Sequence, residues 1–584
     1  MITDGRPSIT TINNFLGLNM NETGETQLKL GEASAMQNFR ITKDYKLEKM
    51  NGYEQIYNPN NRIRAMWVGN LRGTDMTIYV AGGKAYRNGN QLGTLTDDET
   101  TIFELDQKLY FINGHELKTY DGTTFETWER YIPTIKISCT PAGVGEDYEP
   151  INLTTDYRKV SFSADGTATQ FFLPETDITV YSGQVWVNGV ATSVTYNSGG
   201  GYVTFDPAPS AGTDNVVVQY KKNNQPTSLA ENILKNKYAQ SYGLANDTRV
   251  FLYGNPDAKN RIYFSALGNG MPQPTYFPAT NFIDIGSSNT AITDISRQYD
   301  RLIISKEDET YYMTYDAITD TSGETIITFP TYPLNKSHGM VAKGQGQVLD
   351  NYVTTLDRYG IIQWVNTQSK DERNAKLISE RVNEWLQSHD LTKAVTMDYQ
   401  EQKEYWIGID NEVLVYNYEN STFYLLNLPD NVRALTTFKG IIYLGTDKAV
   451  MRFKKDLTTY NGATIDAEWQ GGFYDFEAEY KRKTMRILWI TVKPQEKTYM
   501  AVNYITDRNV GMNEREISSQ TFAYQFWNYA DFTYNANIQV KPYKIKLKAK
   551  KFAFLKLIIK NDKQDYKLIV DTISIQKAYG GFVK

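Results

Sequence analysis

One local unit recurs between residues 63 and 453: an apolar strand ending in aromatic side chains, a Gly- or Asn-centred turn, then another strand. Segments 76–89, 108–122 and 440–453 are the clearest copies. In the second, Leu109, Tyr110, Phe111 and Ile112 run into Asn113 and Gly114 before the chain turns back towards Tyr120. A single hairpin cannot bury its own apolar side chains, so tandem copies predict small sheets stacked face to face. A closed ring of such sheets, a β-propeller, does this while leaving no bare edge across the main body. Counting the units predicts six to eight blades.

Composition agrees with an all-β chain. Aromatic residues make up 13% of it, with 43 Tyr, and there are 41 Gly. Aromatics pack well on pleated strands, and glycine supplies positive φ in tight turns. At 584 residues the chain exceeds one ordinary hydrophobic core, so several domains are expected. The single cysteine, Cys139, excludes an internal disulfide framework; His115, His338 and His389 are too far apart for a recognisable metal-binding spacing, and no cofactor is expected. The formal net charge of −5 argues against a chain-wide electrostatic trap for nucleic acid. No apolar run approaches the roughly 18 residues of a membrane span, and the first residues lack the pattern of a secretory signal.

The pattern divides the chain. Residues 1–60 read as an arm packed on the ring, able to supply a closing strand, with one or two helical turns over 32–38. First blades occupy 61–138. A run of short strands over 139–224, with Asn-Gly and Pro-Ala-Pro turns, reads as an inserted β-sandwich whose two ends emerge close together. The remaining blades occupy 225–458, interrupted by a short helix that places Ile378, Val382, Trp385 and Leu386 on one face. Residues 459–584 have longer strands and wider loops, as in a C-terminal β-sandwich-like domain.

No catalytic residue is assigned. Segment 120–128 looks like the Asp-box turn of sialidase-type propellers, where Asp121 would cap a turn and Trp128 would pack in the blade. Neighbouring carboxylates such as Asp97 and Asp98 point to opposite faces of extended chain and cannot act as a glycosidase pair. No histidine has a nucleophile elbow beside it, and Gly199–Gly201 lacks a phosphate-loop context. The basic residues Lys481, Arg482, Lys483 and Arg486, with Lys544 and Lys546, are candidate contacts to an acidic neighbouring subunit or to DNA phosphates. Without interleaved stacking aromatics, a protein contact is favoured.

The arrangement at 14–20, then 30–53, resembles the opening of tail nozzle and tail-hub proteins of short-tailed bacteriophages. The likeness extends to the insertion at about 140–222, to Trp469 through Phe476, and to Lys481 through Arg486. That resemblance implies a virion tail protein assembled in the host cytoplasm: a propeller with insertions, forming a homo-oligomer, a hexamer, below portal and adaptor proteins. Genomic double-stranded DNA would pass through the lumen of the assembly without sequence-specific binding, and fibres or spikes would sit outside. Such a lumen should be about as wide as duplex DNA and carry mainly acidic charges, because tight phosphate binding would arrest ejection. No distinct gate loop stands out. The rival reading is a propeller that binds a carbohydrate or receptor through Tyr and Trp, with a glycosidase third.

Overall fold

A computed structural model describes residues 7–20, 25–244, 247–319, 325–365, 374–508, 515–520 and 540–583. The described residues are almost entirely β. Seven four-stranded antiparallel units recur, opened by strands Ile63–Leu71, Thr101–Leu105, Tyr238–Leu244, Ile292–Gln298, Gln347–Leu349, Val395–Tyr399 and Ala434–Phe438. These opening strands neighbour one another in chain order, and the seventh lies against the first, so the circuit closes in a propeller-like ring.

The seventh unit has only three strands of its own sequence region. Its fourth is Tyr53–Tyr57 from the arm, paired antiparallel with Val450–Phe453 in the register Tyr53 opposite Phe453 and Tyr57 opposite Val450. Aromatic residues hold this join on both sides. Tyr53 stacks on Tyr460 (4.8 Å between centroids) and meets Phe453 edge-on (5.2 Å), while Tyr57 stacks on Tyr79 of the first unit and Tyr79 on Tyr86. Hairpin turns are also tied to their neighbours: Gln298 Nε2 donates to Asn351 O (2.6 Å), Lys403 pairs with Asp350, Tyr399 donates to Gly440 O (3.0 Å), and Lys439 pairs with Asp75.

The rest of the arm is woven into the C-terminal sheets, where the sequence suggests a piece lying against the ring. Glu32–Gln37, read from sequence as helical turns, is a strand that pairs with Ala467–Gly471 and touches Thr422–Asn427 of the sixth unit. Two open sheet edges supply hydrogen bonds that outweigh a weak local helix preference. The sixth unit thereby continues through Ala467–Gly471, Leu555–Asn561 and Lys497–Thr506 into one ten-stranded sheet. A six-stranded sheet packs against it, built from Lys481–Val492, Lys541–Phe552 and Ile569–Phe582 together with arm strands Pro7–Ile12, Phe39–Ile41 and Leu47–Lys49. Arm, sixth unit and C-terminal sheets share a single core that includes Phe15, Phe39, Trp406, Trp469, Leu488 and Ile575.

Between the second and third units the chain leaves the ring to form a module with its own core around Val160, Phe162, Phe171, Val218 and Tyr220. Its long strands Tyr157–Ala164 and Gly212–Lys222 are antiparallel, and a three-stranded sheet accompanies its seven-stranded one. Entry and exit are adjacent: Thr134 is opposite Lys159, and Lys159 is opposite Gln219. Asn152 fastens the module to the third unit, its Nδ2 donating to Tyr131 O and Thr275 O and its Oδ1 accepting from Phe277 N. The helical face read at 378–386 is present, as a 3₁₀ turn Glu380–Val382 leading into Asn383–Ser388, with Val382, Trp385 and Leu386 buried. Residues 366–373 lie outside the described residues.

Tyr53 is fully enclosed at the join. Tyr53→Ala should cost about 3–5 kcal/mol, the range for a large buried aromatic cut back to a methyl group, whereas Tyr480→Ala, half exposed at the surface, should cost under about 0.5 kcal/mol. Urea unfolding followed by tryptophan fluorescence measures both.

Candidate functional site

The opening strands of all seven units border one central channel of about 1080 Å³. Its wall is polar because each opening strand turns alternate side chains inward, where neighbouring strands leave space rather than a packed core. Charges of both signs line it. Arg62 and Arg64 share Glu99 (2.8 and 3.3 Å), Arg64 also reaches Asp97 (3.1 Å), and Lys237 bridges to Asp98 (2.8 Å). The volume is that of a small-molecule site. It is a space within one chain, distinct from the lumen expected for an assembly.

Asp294, in the strand Ile292–Gln298, is the most deeply buried acid of this wall. Burial pushes its carboxyl up to about 6, against hydrogen bonds from Ser296 Oγ (2.5 Å) and Gly346 N (3.1 Å) that favour the charged form. Its charge also helps to hold the phenols of Tyr238 and Tyr405 above their ordinary value, although their own burial contributes more. Gly346 is required here, since a Cβ on it would stand 2.1 Å from Asp294 Oδ2. Thr396 extends the polar layer through Gln345, whose Oε1 accepts from Thr396 N at 2.7 Å.

A second cavity, about 980 Å³, is lined jointly by the arm (Arg40 and Glu48 to Asn51), the sixth and seventh units and the start of the strand Ile569–Phe582. Glu404 borders it, buried, its carboxyl raised by desolvation and accepting from Trp406 Nε1 (3.1 Å); the nearby Arg40 charge offsets part of that rise. Arg40 pairs with Glu48 at 2.8 Å. Lys49 is buried at its edge, its ammonium pushed down to about 8 by desolvation and donating to Asn561 Oδ1 (3.0 Å) and Lys563 O (3.1 Å).

The six basic candidates do not form one site. Lys483 is fully buried, its Nζ donating to Ala478 O (2.5 Å) and Ala553 O (2.9 Å) and its ammonium pushed down to about 8 by desolvation. It cannot reach a phosphate or a neighbouring chain, because strand alternation points it into the core. Arg482 is half-buried and pairs with Asp507 at 3.3 Å, and Lys481 lies over the Phe582 ring. Arg486, Lys544 and Lys546 are exposed. Lys544 and Lys546 share the outer face of the six-stranded sheet, opposite Trp489 and Ile487.

The Asp-box segment has a structural geometry. Asp121 Oδ1 accepts from Thr123 N (2.8 Å) and Thr124 N (2.7 Å), which draws its carboxyl well below the usual range, and Trp128 is buried with Nε1 donating to Lys118 O (2.7 Å). Ser388, His389 and Glu412 approach a triad in outline, at 3.0 and 3.5 Å. Yet His389 Nδ1 also faces Trp385 O at 2.8 Å, a contact that needs the ring proton there and leaves no base for the serine. Among the described residues no group of three or more His, Cys, Asp or Glu is placed to hold a metal ion, and no helix is long and apolar enough to cross a membrane. Asp294 and Glu404 escape notice in the sequence; the signal for Glu404 is a carboxylate opening an otherwise apolar strand, whereas the strand of Asp294 is largely polar and carries no such signal.

No family model and no curated protein matches the chain. Among solved structures it is similar to BamB from Moraxella catarrhalis (12% identity, TM-score 0.29, covering 68% of this chain and 96% of that one). It is also similar to the AfRom2 CNH domain (7%, 0.34, 69% and 97%) and to a gluconolactonase from Xanthomonas campestris (9%, 0.25, 72% and 98%). At these identities and scores the likenesses carry no argument about activity or partners.

Because its folded value is raised, Asp294 favours folding while protonated and loses that contribution as pH climbs from the ordinary carboxylate range, near 4, through about 6. Asp294→Asn keeps an acceptor for Gly346 and should therefore gain on the native protein with rising pH. The difference in Tm between variant and native should be more positive at pH 7 than at pH 4, by the equivalent of up to about 3 kcal/mol, as read by differential scanning fluorimetry.

Proposed function

We propose that this chain is a structural component of a virion tail. In this reading its ring is a seven-bladed β-propeller carrying an inserted β-sandwich and a C-terminal sandwich-like domain. Copies form the distal tube, or nozzle, that retains DNA, conducts it during ejection and anchors fibres or spikes. The observation that carries the reading is the weave: one arm closes the seventh unit and also supplies strands to both C-terminal sheets, so ring and C-terminal sheets share strands and a core. A part that must bear load gains from strands shared between units, because separating them breaks ladders and core together. The resemblance at 14–53 and 469–486 points the same way. DNA would follow the axis of the ring of copies, since the channel within one chain has the volume of a small ligand.

A second reading, a propeller that binds a carbohydrate or a receptor, is favoured by that channel and its mixed polar wall. The two separate cleanly. Negative-stain images of the purified full chain should contain closed rings with an open lumen, and gold-labelled antibody should mark virion tail tips. Monomers retained on polysaccharide beads, with retention lost in Gln345→Ala, would replace the tube by the binding module; reducing-sugar release abolished by Glu404→Gln would make the protein an enzyme.

A further inference from the structure

The charges of this chain are segregated. From residue 307 to 335 there are six carboxylates and no lysine or arginine, with Asp316 the one on the strands Asp316–Thr319 and Thr325–Thr328; from 541 to 560 there are eight lysines and no carboxylate. Each stretch carries an exposed apolar face.

In the acidic stretch, Asp316–Thr319 pairs with Thr325–Thr328 as a two-stranded hairpin that joins no other strand among the described residues. Two strands alone are marginal in water. Alternation turns Ile327 towards the core of the third and fourth units and sends Ile318 and Ile326, direct cross-strand neighbours, outward at 52% and 50% exposure. Asp316 is two residues from Ile318 and lies on that same outer face.

The basic stretch forms an end strand of the six-stranded sheet, Lys541–Phe552. Its Ile545 and Leu547 point inward, and Lys544 and Lys546 point outward. Across the ladder, Lys546, Ile487, Gln576 and Ile9 form one row, with Ile9 61% exposed, and Lys544 sits beside half-buried Trp489. Lysines on an end strand discourage edge-to-edge pairing, but that role does not require an apolar row beside them.

We propose that the two-stranded hairpin of one copy, with Asp316 beside its exposed isoleucines, docks on the basic, apolar-centred sheet face of the next copy. Ile318 and Ile326 cover Ile9 and Ile487, and Asp316 faces Lys544 or Lys546. A second copy is the occupant because Asp316 complements Lys544 and Lys546 in charge and each surface offers an apolar centre. Different patches meeting head to tail generate closed rings when the rotation closes. The proposal rests on the self-assembling tail reading and names the contact that reading lacks.

Sedimentation velocity of the full-length chain tests it. The native chain should assemble, more weakly as salt rises and the Debye length falls. Ile318→Ser with Ile326→Ser, and separately Lys544→Glu with Lys546→Glu, should each weaken association by roughly tenfold or more, with Tm unchanged because all four side chains are outside the core. Adding Asp316→Lys to the Lys→Glu pair should restore part of the loss. Native assembly left intact by both pairs would overturn this contact while leaving the tail reading standing. A native chain that stays monomeric at every concentration would overturn both.

Discussion

The closed circuit depends on one short ladder, Tyr53–Tyr57 against Val450–Phe453. Residues almost 400 positions apart meet there. A ring of sheets has no lid over its last interface, so first and last units must be held by strands drawn from both ends of the ring sequence. The aromatic run from Phe453 through Tyr53 to Tyr460, and from Tyr57 through Tyr79 to Tyr86, fills the join with large flat groups. Stacked or edge-on pairs of this kind contribute about 0.5–1.5 kcal/mol each beyond the area they bury. Loop closure over such a distance is entropically costly, but the cost grows only with the logarithm of loop length.

The same arm then does a second job. Its strands enter both C-terminal sheets, and its polar side chains seal the seams: Asn38 Nδ2 donates to Asp466 O, Asn38 Oδ1 accepts from Asn427 N, and buried Lys49 is held by Asn561 and Lys563. Buried lysines recur in this region, with Lys577 enclosed between Thr10 and the Phe476 ring. Each keeps its ammonium near carbonyl, amide, hydroxyl or aromatic partners, as burial of a charge requires. Ring, arm and C-terminal sheets are therefore coupled by polar contacts as well as by a shared core, while the inserted module keeps a core of its own and connects through adjacent strands.

Electrostatics sort the surfaces by task. In the channel Arg62, Arg64 and Lys237 are paired with Asp97, Asp98 and Glu99, while Arg297, Lys343, Lys393 and Arg433 also line it. The hairpin carrying Asp316 and the sheet face carrying Lys544 and Lys546 each set one sign beside exposed apolar side chains. A net charge of −5 for the chain conceals this division.

What is local is legible in the residues themselves: hairpins with aromatic strand ends, the short helix around Trp385, the capped turn at Asp121, and the insertion with neighbouring ends. These follow from period-two patterning and turn chemistry within a few residues. Tertiary structure alone decided the count of seven, because that count depends on which strand pairs with the seventh unit. It also decided that Glu32–Gln37 extends a sheet, that Lys483 turns into the core while Lys544 and Lys546 turn out, and that Asp294 and Glu404 border cavities. Except for the lysines, which strand alternation turns in or out, the deciding partner lies far along the chain, and burial and charge are set by that partner rather than by neighbours in sequence.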